Sequence, residues 1–139
     1  DIKDGKERII NFLPYPGNYG FIPSTMMDRV RGGDGDALDV LVLSQHSATQ
    51  TILEVIPIAL LNLIDNGEID SKIIAVPINP NHRVISAASY SQLHSEYPNV
   101  QQLIELWFTS YKGSRIVEFN GWGNELSAKA EIEKWLVPN

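Results

Sequence analysis

Three aspartates lie close together in the stretch GGDGDALDVLV, residues 32–42, directly before an apolar segment. Asp34 and Asp36 are two residues apart, so their carboxylates point the same way in an extended loop, and Asp39 stands at the mouth of the run VLVL. Because Asp and Gly are common in turns, a solvated polar loop is one interpretation, and a site for a divalent metal is the other. An EF-hand does not fit, because loop positions six and twelve hold Asp39 and Gln45.

A second acidic turn, DNGEID, carries Asp65 and Asp70 and leads into Lys72 and another apolar run. If the strands that follow the two turns belong to one barrel, both turns can open at the same end, and the carboxylates converge. Two like charges about 5 Å apart repel by roughly 3 kcal/mol at an effective dielectric constant of about 20. Such a cluster needs cations, and an all-oxygen site suits Mg²⁺ or Mn²⁺.

Basic and aromatic side chains could complete this site. Individually, Arg8, Lys72 and Lys112 are typical of ordinary surface charges, and Tyr19 and Tyr111 of core or rim aromatics. Together with the acidic turns they indicate another arrangement, in which metals on one side and Arg, Lys and Tyr donors on the other enclose a phosphate-rich substrate.

Composition and motifs exclude several other classes. The net charge is −6, and no cluster of Lys and Arg is present to neutralise a run of nucleic-acid phosphates. The absence of cysteine excludes disulfides and thiolate metal sites. The first ten residues lack the apolar core of a signal peptide, and the longest apolar segment, TILEVIPIALLNLI, is too short to span a bilayer. The three histidines show no metal-ligand spacing, and no P-loop, dinucleotide fingerprint or G-x-S-x-G motif occurs.

The elements that would position these residues can be predicted from hydrophobic patterning. Runs rich in β-branched residues predict strands in LDVLVLS, TILEVIPIALLNLI, KIIAVPI and RIVEF, the second of them bent near Pro57. Asn66-Gly67 is a strong hairpin signal. The segment NGWGN is predicted to be a turn.

Two helices are predicted in the second half of the chain. After Pro98, the helical period places one apolar face at Val100, Leu103, Ile104, Trp107, Phe108 and Tyr111, and Gly113 ends the helix. Asn124 can cap a last helix whose inward residues are Leu126, Ala130 and Trp135. We expect an α+β, mainly β fold, with a small closed or highly coiled antiparallel β-barrel (OB-like) flanked by two α-helices.

The motifs together resemble those of soluble family I inorganic pyrophosphatases. LPYPGNYGFIPST, DGDALDVLVL, DNGEIDSKIIAVP, FTSYKG and VEFNGWGNELSAKAEIEKW occur in the order typical of that family, from about Arg8 to the C-terminal helix. Ala37 departs from the Pro or Glu usual there, which changes loop stiffness and not metal ligation.

This resemblance implies Mg²⁺-dependent hydrolysis of pyrophosphate to two phosphates by a metal-activated water, with Mn²⁺ as a possible substitute. Asp34, Asp39 and Asp70 match ligands of one activating metal, and Asp39 also reaches a second. Asp36 matches the general base. Asp65, with Asp70, matches ligands of a metal that arrives with the substrate.

The resemblance also implies the groups that bind the two phosphoryl halves: Arg8, Tyr19, Lys72, Tyr111 and Lys112. Lys and Arg there would stabilise charge that grows on the leaving phosphate. A cytoplasmic homo-oligomer, a hexamer as in bacterial relatives, is further implied, with no nucleic-acid or membrane partner.

The first residue is not Met, and the family's strands upstream of the Arg8 segment have no counterpart here. We therefore expect residues 1–139 to form a single pyrophosphatase domain that lacks its N-terminal strands. Two alternatives stay open at this point. One is a non-catalytic metal- or phosphate-binding barrel or inactive truncated pyrophosphatase, and the other is a structural domain whose acidic loops are solvated turns.

Overall fold

A computed structural model of the chain describes residues 12–138 and, further upstream, the backbone of two short strands. These strands, β1 (Ile2–Lys3) and β2 (Lys6–Glu7), pair with each other in antiparallel fashion. Arg8 lies outside the described residues.

The described part of the chain forms a mixed six-stranded sheet. Its strands are β3 (Asn18–Phe21), β4 (Asp39–Val42), β5 (Val55–Asp65), β6 (Glu68–Ile69), β7 (Lys72–Pro77) and β8 (Val117–Gly123). The order is β3-β4-β7-β5-β6, and β8 also pairs with β5. The pair β4–β7 is parallel and the others are antiparallel, so the prediction of an antiparallel sheet is wrong for this pair. The described strands do not close into a barrel, so the predicted OB-like closure is not confirmed.

Strand β5 and the turn after it follow the sequence pattern. The predicted bend near Pro57 is present as a register shift between Pro57 and Ala59 in the pairing with β7. Asn66 and Gly67, which join β5 to β6, have φ angles of 51° and 82°, as a tight hairpin turn requires. The turn chemistry therefore places Asp65 and Asp70 on either side of one hairpin.

Three helices complete the described fold: α1 (Tyr90–Glu96), α2 (Pro98–Ser110) and α3 (Glu125–Trp135). Pro98 occupies the first turn of α2, and the Asn124 side chain accepts a hydrogen bond from the Ser127 amide at the start of α3, as predicted. Helix α1 was not predicted, because it is short and buries only Leu93. None of the described helices has the length and apolar character needed to cross a bilayer.

The sheet separates two hydrophobic clusters, because side chains alternate between its faces. Leu41 and Ile74 lie in one cluster with α2 residues such as Phe108. Val40 and Ile73 lie in the other, with Trp135 of α3.

Some predicted inward positions are wrong. Leu103 and Leu126 are 62% and 69% exposed, and Ala130 is also exposed, because each helix contacts the sheet along a narrower stripe than its apolar pattern covers.

The segment predicted as a turn, NGWGN, instead continues β8 to Gly123. A Cβ at Gly123 would lie 2.7 Å from Ser127 Cβ and 3.3 Å from Leu60 Cβ. The glycine therefore permits a close approach between β5, β8 and the first turn of α3.

Replacing Asn18 by Ala should lower the free energy of unfolding by about 1–3 kcal/mol, because three hydrogen bonds to the segment after β4 are lost. The Asn18 amide nitrogen donates to Ser44 Oγ (2.6 Å) and to the Gln45 carbonyl (2.7 Å), and its oxygen accepts from the Ser47 amide (2.9 Å). Urea unfolding measures the change. Asn99→Ala, at an exposed position in α2, is the matched control, and equal effects of the two substitutions would contradict the prediction.

Candidate active site

The parallel pairing of β4 with β7 brings the two acidic turns to one edge of the sheet. Asp39 and Lys72 begin these strands and are register partners. Parallel strands start at the same edge, so the turns that precede them lie together. The sequence-based expectation that both turns open at the same end is therefore confirmed.

The ammonium group of Lys72 lies at the centre of this edge, with its side chain only 3% exposed. Its Nζ donates to Asp39 Oδ2 at 2.7 Å, to Asp70 Oδ1 at 2.9 Å and to Tyr19 OH at 2.7 Å. The Tyr19 hydroxyl donates to the same Asp39 oxygen at 2.6 Å. Four predicted site residues, from β3, β4, β7 and the turn before β7, are thus in direct contact.

Burial and charge act in opposite directions on this network. Burial alone would lower the pKa of Lys72, but Tyr19, Asp70 and Asp39 hold it well above the ordinary value, so the lysine is charged. Burial raises the pKa of the Tyr19 hydroxyl well above its usual range, so it keeps its proton and donates. The pKa of Asp70 is also raised, by burial first, while Lys72 opposes that shift.

Asp34 joins the same electrostatic cluster. Its Oδ1 accepts a hydrogen bond from the Asp36 amide at 2.9 Å, which closes the loop between them. Burial raises the pKa of Asp34 to about 6, and the negative charges of Asp70, Asp36 and Asp39 add to that effect. The charge of Asp65 in turn raises the pKa of Asp70. The predicted carboxylates are therefore close enough to affect one another's ionisation.

A second ion pair joins the end of α2 to the other acidic turn. Lys112 Nζ contacts Asp65 Oδ2, and both side chains are largely buried. Tyr111 is the C-cap of α2, and Lys112 Nζ lies 5.8 Å from the centre of its ring. The end of α2 thus brings Tyr111 and Lys112 to the acidic side of the sheet.

The acidic loop is fixed by backbone contacts that the sequence analysis did not identify. The Met27 amide donates to the Asp36 carbonyl at 2.8 Å, and the Gly35 amide donates to the Met27 carbonyl at 2.7 Å. A Cβ at Gly33 would collide with the Met27 carbonyl oxygen. The Gly32 carbonyl accepts from the Ile69 amide at 2.9 Å, which links the loop to the second acidic turn. No short motif marks these contacts, because their partners are distant in sequence.

The histidines lie apart from this cluster. All three are exposed, and His94 Nδ1 lies 3.0 Å from Gln101 Oε1. His46 and His82 line a cavity of about 670 Å³ formed by the segments after β4 and β7 and the segment before β5. That cavity lies at the opposite edge of the sheet from Asp39 and Lys72, so it is separate from the acidic cluster.

The acidic edge suits a hard divalent cation by its donor chemistry. Its ligand atoms are carboxylate oxygens. Lys72 pairs with Asp39 and Asp70, and Lys112 pairs with Asp65, so within residues 12–138 five carboxylates share two ammonium groups. Within residues 12–138 no three acidic or histidine side chains surround a common point at ligand distance. Between Asp39 and Asp70, the Lys72 ammonium instead supplies the positive charge.

At one edge of this mixed sheet, carboxylates lie beside lysine and tyrosine donors, a combination typical of proteins that bind cations together with a polyanion. The chain matches the family model described as inorganic pyrophosphatase over residues 5–137. It therefore belongs to the inorganic pyrophosphatase family.

Individual relatives agree with this assignment. The chain is 37% identical over 131 residues to inorganic pyrophosphatase 1 of Pseudomonas syringae pv. tomato, covering 86% of this chain and 67% of the relative. It is 36% identical over 129 residues to the inorganic pyrophosphatase of Saccharolobus solfataricus, covering 88% and 69%. The crystal structure of the inorganic pyrophosphatase from Thermus thermophilus has a TM-score of 0.77 at 30% identity, covering 94% of this chain and 74% of that one.

Asp34→Asn should change how stability depends on pH in the presence of EDTA. Because the pKa of Asp34 is about 6 in the folded protein and 3.8 ordinarily, the folded state binds the extra proton between these values. The contribution of Asp34 to the free energy of unfolding therefore falls as pH rises from about 4 to about 6. Asparagine at this position removes the pH-dependent contribution and keeps the oxygen that accepts the hydrogen bond from the Asp36 amide.

Urea unfolding at several pH values measures this contribution as the free energy of unfolding of wild type minus that of the variant. Glu133→Gln, at an exposed position on α3, is the control for loss of one negative charge. A constant difference between wild type and Asp34→Asn across the window would contradict the prediction.

Lys72→Met should lower the free energy of unfolding in EDTA by about 3–5 kcal/mol, because it leaves the buried Asp70 and the half-buried Asp39 without their counter-charge. Lys129→Met, at an exposed position on α3, removes the same charge and should change it by less than about 1 kcal/mol. Chemical denaturation measures both. A loss for Lys72→Met no larger than for the control would show that the network does not hold the fold.

Proposed function

We propose that this chain hydrolyses inorganic pyrophosphate to two phosphates, with several Mg²⁺ ions as cofactors and Mn²⁺ as a substitute. The observation that carries the proposal is the contact of Lys72 with Asp39, Asp70 and Tyr19 at one edge of the sheet. In this contact, carboxylate oxygens that could hold cations lie beside ammonium and hydroxyl groups that could bind phosphate, as an anionic substrate of high charge requires. Membership of the inorganic pyrophosphatase family supports the same reaction.

The metals would be held by four aspartates: Asp34, Asp39, Asp65 and Asp70. When bound, Mg²⁺ neutralises phosphate oxygens and lowers the pKa of the attacking water. Burial raises the pKa of Asp34 and Asp70, and the negative charges of neighbouring aspartates add to that effect. A cation would relieve this repulsion, which favours its binding. The buried Lys72 supports this assignment, because it shows that the Asp39–Asp70 pair takes a positive partner.

Asp36 is the proposed general base, and Asp39 shares in orienting the water. The Asp36 side chain is exposed, whereas its backbone is fixed by the Asp34 carboxylate and the Met27 amide. A fixed backbone with an accessible carboxylate can receive a proton from water that attacks phosphorus. The rigid start of β4 holds this base in a defined position relative to Asp39.

The phosphoryl oxygens are proposed to be bound by Arg8, Tyr19, Lys72, Tyr111 and Lys112. Lys72 and Lys112 each contact a metal-site aspartate, so a cation that binds these aspartates would release lysine N–H donors toward substrate. Charged donors near the leaving phosphate stabilise the charge that develops there. Tyr19, which keeps its proton, adds a neutral donor.

Other features inferred from the family resemblance stay predictions. They are the cytoplasmic location, the homo-hexamer, the closure of the sheet into a barrel, and a single domain over residues 1–139.

Asp36→Asn should lower kcat for pyrophosphate by about 10²–10⁴-fold, the usual contribution of a positioned base. Phosphate release in the presence of Mg²⁺ measures this change. Asp28→Asn is the matched control, because it removes a nearby charge and keeps the acceptor that caps the Arg29–Arg31 turn. EDTA should abolish turnover.

Equal activity of Asp36→Asn and wild type would exclude Asp36 as the base. Binding of Mg²⁺ and pyrophosphate without release of phosphate would instead identify a non-catalytic binding domain.

A further inference from the structure

A continuous stack of aromatic rings connects the two tyrosines proposed to bind phosphate. Tyr19 stacks on Tyr15 with ring centres 4.3 Å apart and planes 8° apart. Tyr15 lies 4.4 Å from Trp107 at 36°, and Trp107 stacks on Tyr111 at 5.0 Å and 12°. Two of these four rings, Tyr15 and Trp107, have no role in the proposed reaction.

We propose that Trp107 is a positioning residue for pyrophosphate binding, which acts by holding the ring of Tyr111 and, through Tyr15, that of Tyr19. This inference rests on the proposed function, because it assigns the two tyrosines to the substrate. Trp107 is not placed in contact with substrate. Trp107 instead fixes the orientation of the Tyr111 and Tyr19 rings, whose hydroxyl groups are proposed to bind pyrophosphate.

The indole of Trp107 is itself firmly held. Its Nε1 donates to the Leu13 carbonyl at 3.1 Å, and the side chain is buried. The rings of Phe108 and Phe12 meet it edge-on, with centres 5.0 and 5.8 Å away. A ring fixed by one hydrogen bond and by contacts on several sides is a rigid support for its neighbours.

Tyr111 depends on this support because of its place in the chain. It follows the last residue of α2, where helices fray, and its amide donates to the Trp107 carbonyl at 3.1 Å. Trp107 and Tyr111 are four residues apart, so their side chains lie on the same helical face. The indole of Trp107 therefore packs on the ring of Tyr111 from one turn earlier in the same helix.

The chain offers a matched control for a merely structural role. Trp135 is also a buried tryptophan, but it packs in the cluster on the other face of the sheet, with Arg31 over its ring at 4.9 Å. Removing either indole should destabilise the fold. Only removal of Trp107 should weaken substrate binding.

The test compares Trp107→Leu and Trp107→Phe with Trp135→Leu in steady-state hydrolysis of pyrophosphate with Mg²⁺. We expect Trp107→Leu to raise KM about 3- to 10-fold, the range equivalent to losing one aromatic pair, with kcat changed less than about 2-fold. Trp107→Phe keeps an aromatic ring, so its KM should return most of the way to the wild-type value. Trp135→Leu should keep the wild-type KM.

A KM for Trp107→Leu within about 2-fold of wild type would overturn the inference, as would an equal rise in KM for Trp135→Leu. If Trp107→Leu does not unfold cooperatively, Trp107→Met is measured in its place, because it keeps apolar volume without a ring.

Calorimetric titration with inorganic phosphate and Mg²⁺ separates this inference from the proposed function. If wild type binds phosphate but does not hydrolyse pyrophosphate, the proposed function fails, and weaker phosphate binding by Trp107→Leu alone still supports the positioning role. Equal phosphate affinities of wild type and Trp107→Leu overturn that role. If wild type neither hydrolyses pyrophosphate nor binds phosphate, both the proposed function and the positioning role fail.

Discussion

The buried ammonium group of Lys72 is the constraint on which the acidic edge of this structure depends. A charge with only 3% of its side chain exposed is costly unless it is fully partnered, and Lys72 has three oxygen partners within 2.9 Å. Those partners come from different elements. Satisfying one charge therefore fixes β3, β4 and the turn before β7 relative to one another, and the apolar strands behind them supply a rigid support.

Among the described residues, the same edge carries more negative than positive charge, which links the stability of the fold to the proposed function. Lysines partner Asp39, Asp70 and Asp65, yet burial and neighbouring negative charge still raise the pKa of Asp34 and Asp70. A protein selected only for stability would not hold carboxylates so close together. Backbone hydrogen bonds from Met27 keep the loop in place despite this repulsion, as the proposed cation site requires.

The aromatic stack forms the third part of this arrangement, because it joins the sheet to the end of α2. Tyr15 and Tyr19 come from the segment around β3, whereas Trp107 and Tyr111 come from α2. The ring of Phe108 contacts the rings of both Tyr19 and Tyr111, and its centre lies 5.7 Å from the Lys72 ammonium. The hydrophobic core is thus continuous with the charged edge. A substitution that disturbs packing in the core would therefore also displace the side chains proposed to bind substrate.

The sequence by itself determined the features that depend on near neighbours. β-Branched runs indicated β4, β5 and β7, Asn66-Gly67 indicated the hairpin, and the acidic motifs indicated where the site lies. Only the tertiary structure decided that β4 and β7 pair in parallel, that Lys72 contacts Asp39 and Asp70, and that Trp107 joins two tyrosines. The exposure of Leu103 and Leu126 also depends on which stripe of each helix meets the sheet. These contacts join residues far apart in sequence, and local propensity and spacing carry no information about which distant partner satisfies a buried group.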